Sequence, residues 1–181
     1  MGAVKTFLTF EEFEQQEESR FKQELVHGEL IEFPHPELKH QDISHCIYDE
    51  LRPAIRQARA CNEAIEVDGA YHETGYKVPN NSYLIPDVSV THAKQGKGKY
   101  LEGAPAIAIE VLSPSNTPKL MDAKMKTYFE FGALEVWRVN PKKGSFTIYR
   151  ADGSSVPVED GAVTTRLIRG FSLRPADVFG A

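Results

Sequence analysis

The chain has 181 residues, 41% of them hydrophobic and 26% charged, which is typical of one soluble globular domain over residues 1–181. A net charge of −5 excludes the basic surface of many DNA-binding proteins, so contact with nucleic acid would need local lysines or a metal ion. Two distant cysteines, Cys46 and Cys61, argue against a disulfide or zinc site, and without a signal peptide or membrane-spanning apolar run we expect a cytoplasmic protein.

The N-terminal residues predict a short helix followed by a hairpin. Thr9 and Glu12 form a capping box, which indicates a helix that reaches about residue 18. The half-apolar runs 21–26 and 29–33 are separated by a His-Gly pair, which is typical of a tight hairpin turn. Glu24 lies on the first arm of this hairpin, where most glutamates are simply solvated.

A long amphipathic helix is predicted after the Pro-His-Pro sequence at residues 34–36. It runs from Leu38 towards Ala60, and its apolar stripe comprises Ile43, Ile47, Leu51 and Ile55. Pro53 should kink or split this helix, because proline removes a backbone donor. His40 sits on the stripe near the helix start, where a structural hydrogen bond is a commoner role than ligation.

The middle of the chain combines strands with turn-rich segments. Residues 64–68 predict a strand, and residues 69–81, rich in Gly, Pro and Asn, predict a loop or an irregular hairpin. Residues 83–90 predict a strand with Pro86-Asp87 in its middle. Because a proline confines a strand to a sheet edge or a bulge, we expect one of these here, and a bulge would re-aim Asp87.

The clearest strand is the continuous apolar run at residues 107–109, which ends in Glu110. Such a run, bounded by turn residues, predicts a strand buried on both faces. An ionised carboxylate at the end of a buried strand is costly unless a cation pairs with it. A metal ion and a lysine are the two candidates.

The helix that follows this strand carries a suitable lysine. Thr117 is expected to be its N-cap, Pro118 its first residue and Gly132 its stop. Lys124 falls on the same helical stripe as Met121 and Tyr128. Two interpretations stay open from position alone, because this lysine can extend its amine to solvent or can pair with a buried acid.

The C-terminal third predicts further strands. Residues 134–139 and 145–150 form two strands joined by a turn, and residues 163–168 form a third. A short closing helix is predicted at residues 174–179, and Trp137 is expected in the core.

Asp87, Glu110 and Lys124 form the candidate constellation for catalysis. The two carboxylates lie on separate predicted strands, joined by a loop long enough for the strands to lie side by side. Mg²⁺ is typically held by one or two carboxylates, with waters and substrate phosphates completing its coordination. A nearby lysine can position the attacking water or stabilise the developing charge, so these parts suit phosphodiester hydrolysis.

Several blocks of the sequence together resemble one known family. Pro86-Asp87 followed by Glu110 resembles the PD-(D/E)XK nuclease motif, in which two carboxylates and a lysine surround a divalent metal. The fuller pattern is similar to the Uma-two (Uma2) family of restriction-endonuclease-like proteins, formerly a domain of unknown function. The blocks that match are residues 24–30, 86–90, 110–115, Lys124 with Tyr128, Gly132, 135–139 and 170–173.

The resemblance implies a fold and a set of site residues. It implies an α/β (α+β) restriction-endonuclease-like core, with a mixed twisted sheet flanked by helices, an N-terminal hairpin and a C-terminal β extension. The lysine of the general motif is missing, since Leu112 stands two residues after Glu110. In this family the lysine lies on the following helix, at Lys124. By the same analogy Glu24 assists catalysis with a further metal contact from the N-terminal hairpin, and the backbone carbonyl of Val111 is a metal ligand beside Asp87 and Glu110.

The function that the resemblance implies is that of a hydrolase, a Mg²⁺- or Mn²⁺-dependent endonuclease acting on DNA. A homodimer would suit the cutting of two strands, although no residue in the sequence indicates one, and no membrane association is expected.

Two alternatives remain open at the level of sequence. One is a non-catalytic module on the same fold that binds nucleic acid or a protein. The other is a small-molecule enzyme with Ser113 as nucleophile and His40 as base. The second is disfavoured, because no G-x-S-x-G elbow surrounds Ser113 and Pro114 follows it directly.

Overall fold

The computed structural model describes residues 6–63, 66–96 and 98–180. Within these residues the helices are α1 (Phe10–Glu14), α2 (Leu38–Ala60), α3 (Pro118–Glu130) and α4 (Pro175–Phe179). The strands are β1 (Lys22–Val26), β2 (Glu29–Phe33), β3 (Val67–His72), β4 (Tyr76–Val78), β5 (Ser82–Leu84), β6 (Val88–His92), β7 (Leu101–Glu102), β8 (Ile107–Val111), β9 (Glu135–Asn140), β10 (Ser145–Arg150) and β11 (Ser155–Val158).

The strands form two mixed sheets. The hairpin sheet has the order β2-β1-β5-β4-β7, and the central sheet has the order β11-β10-β9-β8-β6-β3. In the central sheet β8 pairs with β9 in parallel and with β6 antiparallel. The predicted α/β (α+β) class is therefore confirmed, with helices flanking mixed sheets, an N-terminal hairpin, and C-terminal strands that extend the central sheet.

Helix α2 is continuous across its proline. Its buried residues include the whole predicted apolar stripe, which packs in one cluster with side chains of β3, β6 and β8. The prediction that Pro53 would split the helix is wrong. The proline is exposed, and buried residues on both sides, from Ile43 to Ala58, hold the helix against the central sheet.

The segment around Pro86-Asp87 joins the two sheets. The predicted strand over residues 83–90 is two strands, because β5 belongs to the hairpin sheet and β6 to the central sheet. The expected edge strand is wrong, since β6 lies between β8 and β3 inside the central sheet. The expected bulge is not at Pro86-Asp87, since these residues lie outside both strands, and the register shift of the β3–β6 pair lies between Val67 and Ala70. Asp87 immediately precedes β6, and since Val88 is opposite Ile109, the next position brings Asp87 beside Glu110.

Helix α3 begins and packs as the sequence predicts. The Thr117 side chain accepts a hydrogen bond from the Leu120 amide, and Pro118 is the first helical residue. The buried residues of α3 are Met121, Lys124, Thr127 and Tyr128. The Lys124 side chain is directed inward, because it shares the helical face that packs on the sheets.

The chain ends differ from the prediction in detail. Helix α1 has the Thr9–Glu12 capping box but stops at Glu14 rather than near residue 18. The expected strand at residues 163–168 is wrong, since only Val163 forms a bridge there, with Leu173. The last strand is β11, which pairs with β10. The predicted strand at residues 64–68 has two residues outside the described ones, and β3 continues beyond it to His72.

Cys46 and Cys61 are both free thiols. Among the helices in the described part of the chain, none combines the length and apolar character that crossing a membrane requires.

Candidate active site

The hairpin sheet, the central sheet and helix α3 meet at a buried ion-pair cluster. Lys124 Nζ lies 3.0 Å and 2.8 Å from the two carboxylate oxygens of Glu24 on β1. The same amine lies 2.7 Å from Oε1 of Glu110 on β8. All three side chains are almost fully buried. Lys124 therefore links two sheets through its contacts with their carboxylates.

Two further hydrogen bonds fix these carboxylates. Tyr128, one turn after Lys124 on α3, donates its hydroxyl to Glu110 Oε1 at 2.6 Å. The amide of Ile85 donates to Glu24 Oε1 at 3.0 Å. Because buried charges are tolerated only when paired and hydrogen-bonded, the ion pair and the Ile85 hydrogen bond explain how Glu24 can be buried on a hairpin strand.

Burial and neighbouring charges set the protonation of this cluster. Burial raises the pKa of Glu110, and the Asp87 and Glu24 charges add to that effect while Lys124 opposes it. Burial alone would lower the pKa of Lys124, but the Glu110 and Glu24 carboxylates outweigh it and raise that pKa above its ordinary value. Lys124 is therefore a fixed positive charge near neutral pH, and it is unsuited to accepting a proton.

Asp87 is the centre of a second cluster. Its Oδ2 accepts a hydrogen bond from the Val111 amide at 2.8 Å, and its Oδ1 lies 3.1 Å from Lys22 Nζ. His40 Nε2 lies 3.3 Å from Oδ2. Although burial would raise the pKa of Asp87, Lys22 and His40 hold it well below its usual range. Asp87 is therefore ionised at all ordinary pH values.

The donor set at Asp87 fits a hard divalent cation. His40 Nε2 lies 3.1 Å from the Val111 carbonyl as well as 3.3 Å from Asp87 Oδ2, so both oxygens already point at one cationic or donor group. Glu110 is the neighbour of Asp87 across the strand pair. In the described ranges no group of three or more His, Cys, Asp or Glu side chains is placed to hold a metal. Two carboxylates and a carbonyl suit Mg²⁺ or Mn²⁺ better than zinc.

These residues lie at the floor and wall of one cavity. Its volume is about 410 Å³. The residues of the two clusters that line it are Lys22, Glu24, His40, Asp87, Glu110, Val111 and Lys124. The remaining wall comes from residues 33–37, Lys39, Glu73, residues 112–116, Pro141 and Lys142. The site is therefore accessible to a ligand, although its ionised groups are nearly covered.

The structure brings together every residue that the sequence singled out for the site. Asp87, Glu110, Lys124 and Glu24 converge, and the Val111 carbonyl lies beside them. Sequence reasoning missed Lys22. The available signal was that Lys22 lies two residues before Glu24, so both project from the same face of β1.

The alternative pair of Ser113 and His40 is not assembled. Ser113 Oγ donates to Asn116 Oδ1 at 3.0 Å and lies 2.8 Å from Ser115 Oγ. The Nε2 atom of His40 instead faces Asp87 and Val111. His40 therefore belongs with the acidic cluster, and Ser113 belongs to the turn that precedes α3.

The pairing of His40 with Asp87 predicts a measurable change in pKa. Burial lowers the pKa of His40, but the hydrogen bond and charge of Asp87 raise it above the ordinary value of 6.5. In an Asp87→Asn variant the carboxylate charge that raises this pKa is lost while burial and Lys22 remain, so the pKa of His40 should fall. NMR titration of the imidazole carbons measures this shift.

The control for this titration is His92, whose pKa is lowered by burial and does not depend on Asp87. His92 should titrate identically in both proteins. An unchanged His40 pKa would contradict the ion pair. Because the folded pKa of His40 is raised, the pair stabilises the fold below pH 6.5, and this contribution is lost as pH rises through the folded pKa.

Comparison with known proteins identifies the fold and the family. One similar solved structure is described as "a putative nuclease belonging to DUF820" from Anabaena variabilis, with a TM-score of 0.80 at 19% sequence identity over 96% of this chain and 98% of that chain. The chain thus has the nuclease fold that the sequence predicted. It belongs to the Uma2 family, described as "Putative restriction endonuclease", whose model matches residues 10–176. A search of curated proteins found no match.

Proposed function

We propose that this protein is a Mg²⁺- or Mn²⁺-dependent endonuclease that hydrolyses phosphodiester bonds in DNA. The observation that carries the proposal is the convergence of Asp87, Glu110 and the Val111 carbonyl beside a buried, permanently charged lysine in an open cavity. Membership of a family described by endonuclease activity supports the same reaction class.

Asp87, Glu110 and the Val111 carbonyl would hold the metal ion. When bound there, a divalent cation lowers the pKa of a coordinated water and neutralises charge on the scissile phosphate. Asp87 suits this role because its carboxylate stays ionised over the whole working pH range. Lys22 and His40 pair with the Asp87 carboxylate. A metal ion bound to Asp87 would have to replace part of these contacts.

Lys124 would stabilise negative charge on the phosphate and orient the attacking water. Its raised pKa keeps it protonated, so it acts as a cation and a hydrogen-bond donor rather than as a base. Glu24 would be a positioning residue, since both of its oxygens contact the Lys124 amine. The hydroxyl of Tyr128 would position Glu110 in the same way.

A cleavage assay tests the proposal directly. Purified protein is incubated with single-stranded, double-stranded and branched DNA, in Mg²⁺, in Mn²⁺ and in EDTA. We expect cleavage with either metal and none in EDTA. No cleavage of any of these substrates with either metal would contradict the proposal.

The second candidate function is a non-catalytic binding module on the same fold. The observation that favours it is that Lys124, Lys22 and His40 already neutralise the carboxylates without a metal. A module of this kind does not need a divalent cation.

Metal binding separates the two candidates. For a nuclease, isothermal titration calorimetry with Mn²⁺ should give a binding isotherm, and Glu110→Gln should weaken binding at least about tenfold, because a ligand is lost. The exposed Glu159, which follows β11, offers the control Glu159→Gln, which should bind like the wild type. Absence of Mn²⁺ binding by the wild type would favour the module.

A further inference from the structure

One wall of the cavity is apolar and is not explained by metal-dependent hydrolysis alone. Phe33, the last residue of β2, lines the cavity together with Pro34 and Pro36 from the segment that follows it, and we call these three residues the apolar wall. The Phe33 ring lies beside the reacting groups, with its centroid 5.5 Å from Lys124 Nζ and 6.0 Å from Lys22 Nζ. The Phe33 ring of the apolar wall therefore lies beside two of the cations that line the cavity.

Apolar surface continues next to the cavity. Phe21 is 46% exposed and packs its ring on that of His35, a lining residue, at 5.6 Å between centroids. Leu38, at the start of α2 between the lining residues Glu37 and Lys39, is 83% exposed. These are two of the four large hydrophobic side chains that are exposed in the described part of the chain. Their clustering beside one cavity indicates a ligand with an apolar face.

Charge and size narrow the class of ligand. Lys39 and Lys142 line the cavity with Lys22, which pairs with Asp87, and these cations can bind a phosphate group beside the apolar wall even though Glu37 and Glu73 line it as well. A volume of about 410 Å³ lies near the small end of the range for small-molecule sites and suits a single nucleotide rather than a duplex. The net charge of −5 gives the protein little of the general attraction for duplex phosphates that many DNA-binding proteins use.

We propose that the cavity takes a nucleotide whose base is unpaired, so that the substrate is single-stranded DNA or an unpaired segment of a duplex. The base packs against the apolar wall and the Phe21–His35 pair, while the lysines contact the adjacent phosphates. Base contacts with aromatic side chains of this kind tolerate any sequence, because every base has an apolar face. A fully paired duplex keeps its bases stacked inside and leaves this wall unused. This inference rests on the proposed nuclease function and names its substrate class.

The test is a binding measurement that does not depend on cleavage. Fluorescence anisotropy in EDTA compares a labelled single-stranded thymidine oligonucleotide with its duplex on the full chain. We expect the single strand to bind about tenfold tighter or more. Phe33→Leu and Phe21→Leu should each weaken single-strand binding at least about fivefold and leave duplex binding unchanged, because each loses aromatic contact with a base.

A matched control comes from a residue that pairs with the far end of the same hairpin. Phe7 is 64% exposed and bridges Glu29, at the opposite end of the hairpin from Phe33 and Lys22. Phe7→Leu should bind single strands like the wild type. Circular dichroism of the three variants separates loss of binding from loss of folding. If Phe33→Leu fails to fold, Phe21→Leu still tests the proposal, because Phe21 lies outside the buried ion-pair cluster.

Failure of this inference and failure of the nuclease proposal give different results. Equal or tighter binding of duplex, or single-strand binding that neither substitution weakens, would overturn the preference for an unpaired base even if the protein cleaves DNA. Single-strand preference that depends on Phe33 and Phe21, without cleavage in any metal, would support this inference and overturn the proposed activity alone.

Discussion

Replacing Asp87 with Asn is expected to reduce metal-dependent DNA cleavage by at least about 100-fold. Residues that only support a ligand typically change metal affinity or activity 10–100-fold, so loss of a direct ligand should cost as much or more. Asn retains an oxygen that can accept a hydrogen bond from the Val111 amide, so the link between the segment before β6 and strand β8 is preserved. The measurement is the initial cleavage rate under saturating Mg²⁺ or Mn²⁺.

The control for this substitution is Asp152→Asn. Asp152 is exposed in the turn between β10 and β11, at the end of the central sheet away from Glu110. The Asp152→Asn substitution removes the same charge at a distance from the site, so the cleavage rate of this variant should match that of the wild type. An Asp87→Asn protein with a native spectrum that still cleaves at the wild-type rate would refute the assignment of Asp87.

Replacing Lys124 with Met is expected to lower the free energy of unfolding by about 3–5 kcal/mol. The reason is that Met leaves the buried carboxylates of Glu24 and Glu110 without their shared cation. Urea denaturation followed by circular dichroism measures the change. If the variant is also folded enough to assay, cleavage should be lost with it, since Lys124 is the cation proposed to stabilise the phosphate.

Lys126→Met on the same helix is the matched control. Lys126 is exposed on the opposite face of α3, so the same substitution removes a solvated charge and should cause no comparable loss of stability. Equal destabilisation by the two substitutions would show that the helix tolerates methionine poorly, and would remove the evidence for a buried ion-pair cluster.

Much of the fold followed from local patterns. The hairpin turn, the apolar stripe of α2, the buried run of β8 and the caps of α3 all depend on neighbours in sequence, and the structure has each of them. Residues 83–90 were predicted as one strand but form parts of two, β5 and β6. Periodicity reports which residues are apolar but not which sheet a strand joins. The short β11 was missed for a related reason, since its first three residues are exposed and lack an apolar alternation.

The site residues that could be predicted from sequence lie on elements whose buried face could be predicted, namely α3 and β8. Helical spacing placed Lys124 on the apolar stripe of α3 but left open whether its amine reached solvent or a buried acid, and its contact with Glu110 shows that it pairs with the acid. Family resemblance singled out Glu24 as an assisting residue, but its pairing with Lys124 was not predicted, because a glutamate on a hairpin strand has no local sign of burial. Lys22 and the apolar wall depend on the packing of the hairpin sheet against the central sheet, which no short-range pattern encodes.

The crossover at Pro86-Asp87 has a thermodynamic consequence. Lys22 and Glu24 come from one sheet, Glu110 comes from the other, and Asp87 lies on the segment that passes between them. A molecule that occupies the cavity therefore contacts both sheets at once. Ligand binding and the packing of the two sheets against each other are therefore linked by mass action. Saturating ligand should raise the melting temperature of the whole molecule, which should unfold in a single cooperative transition.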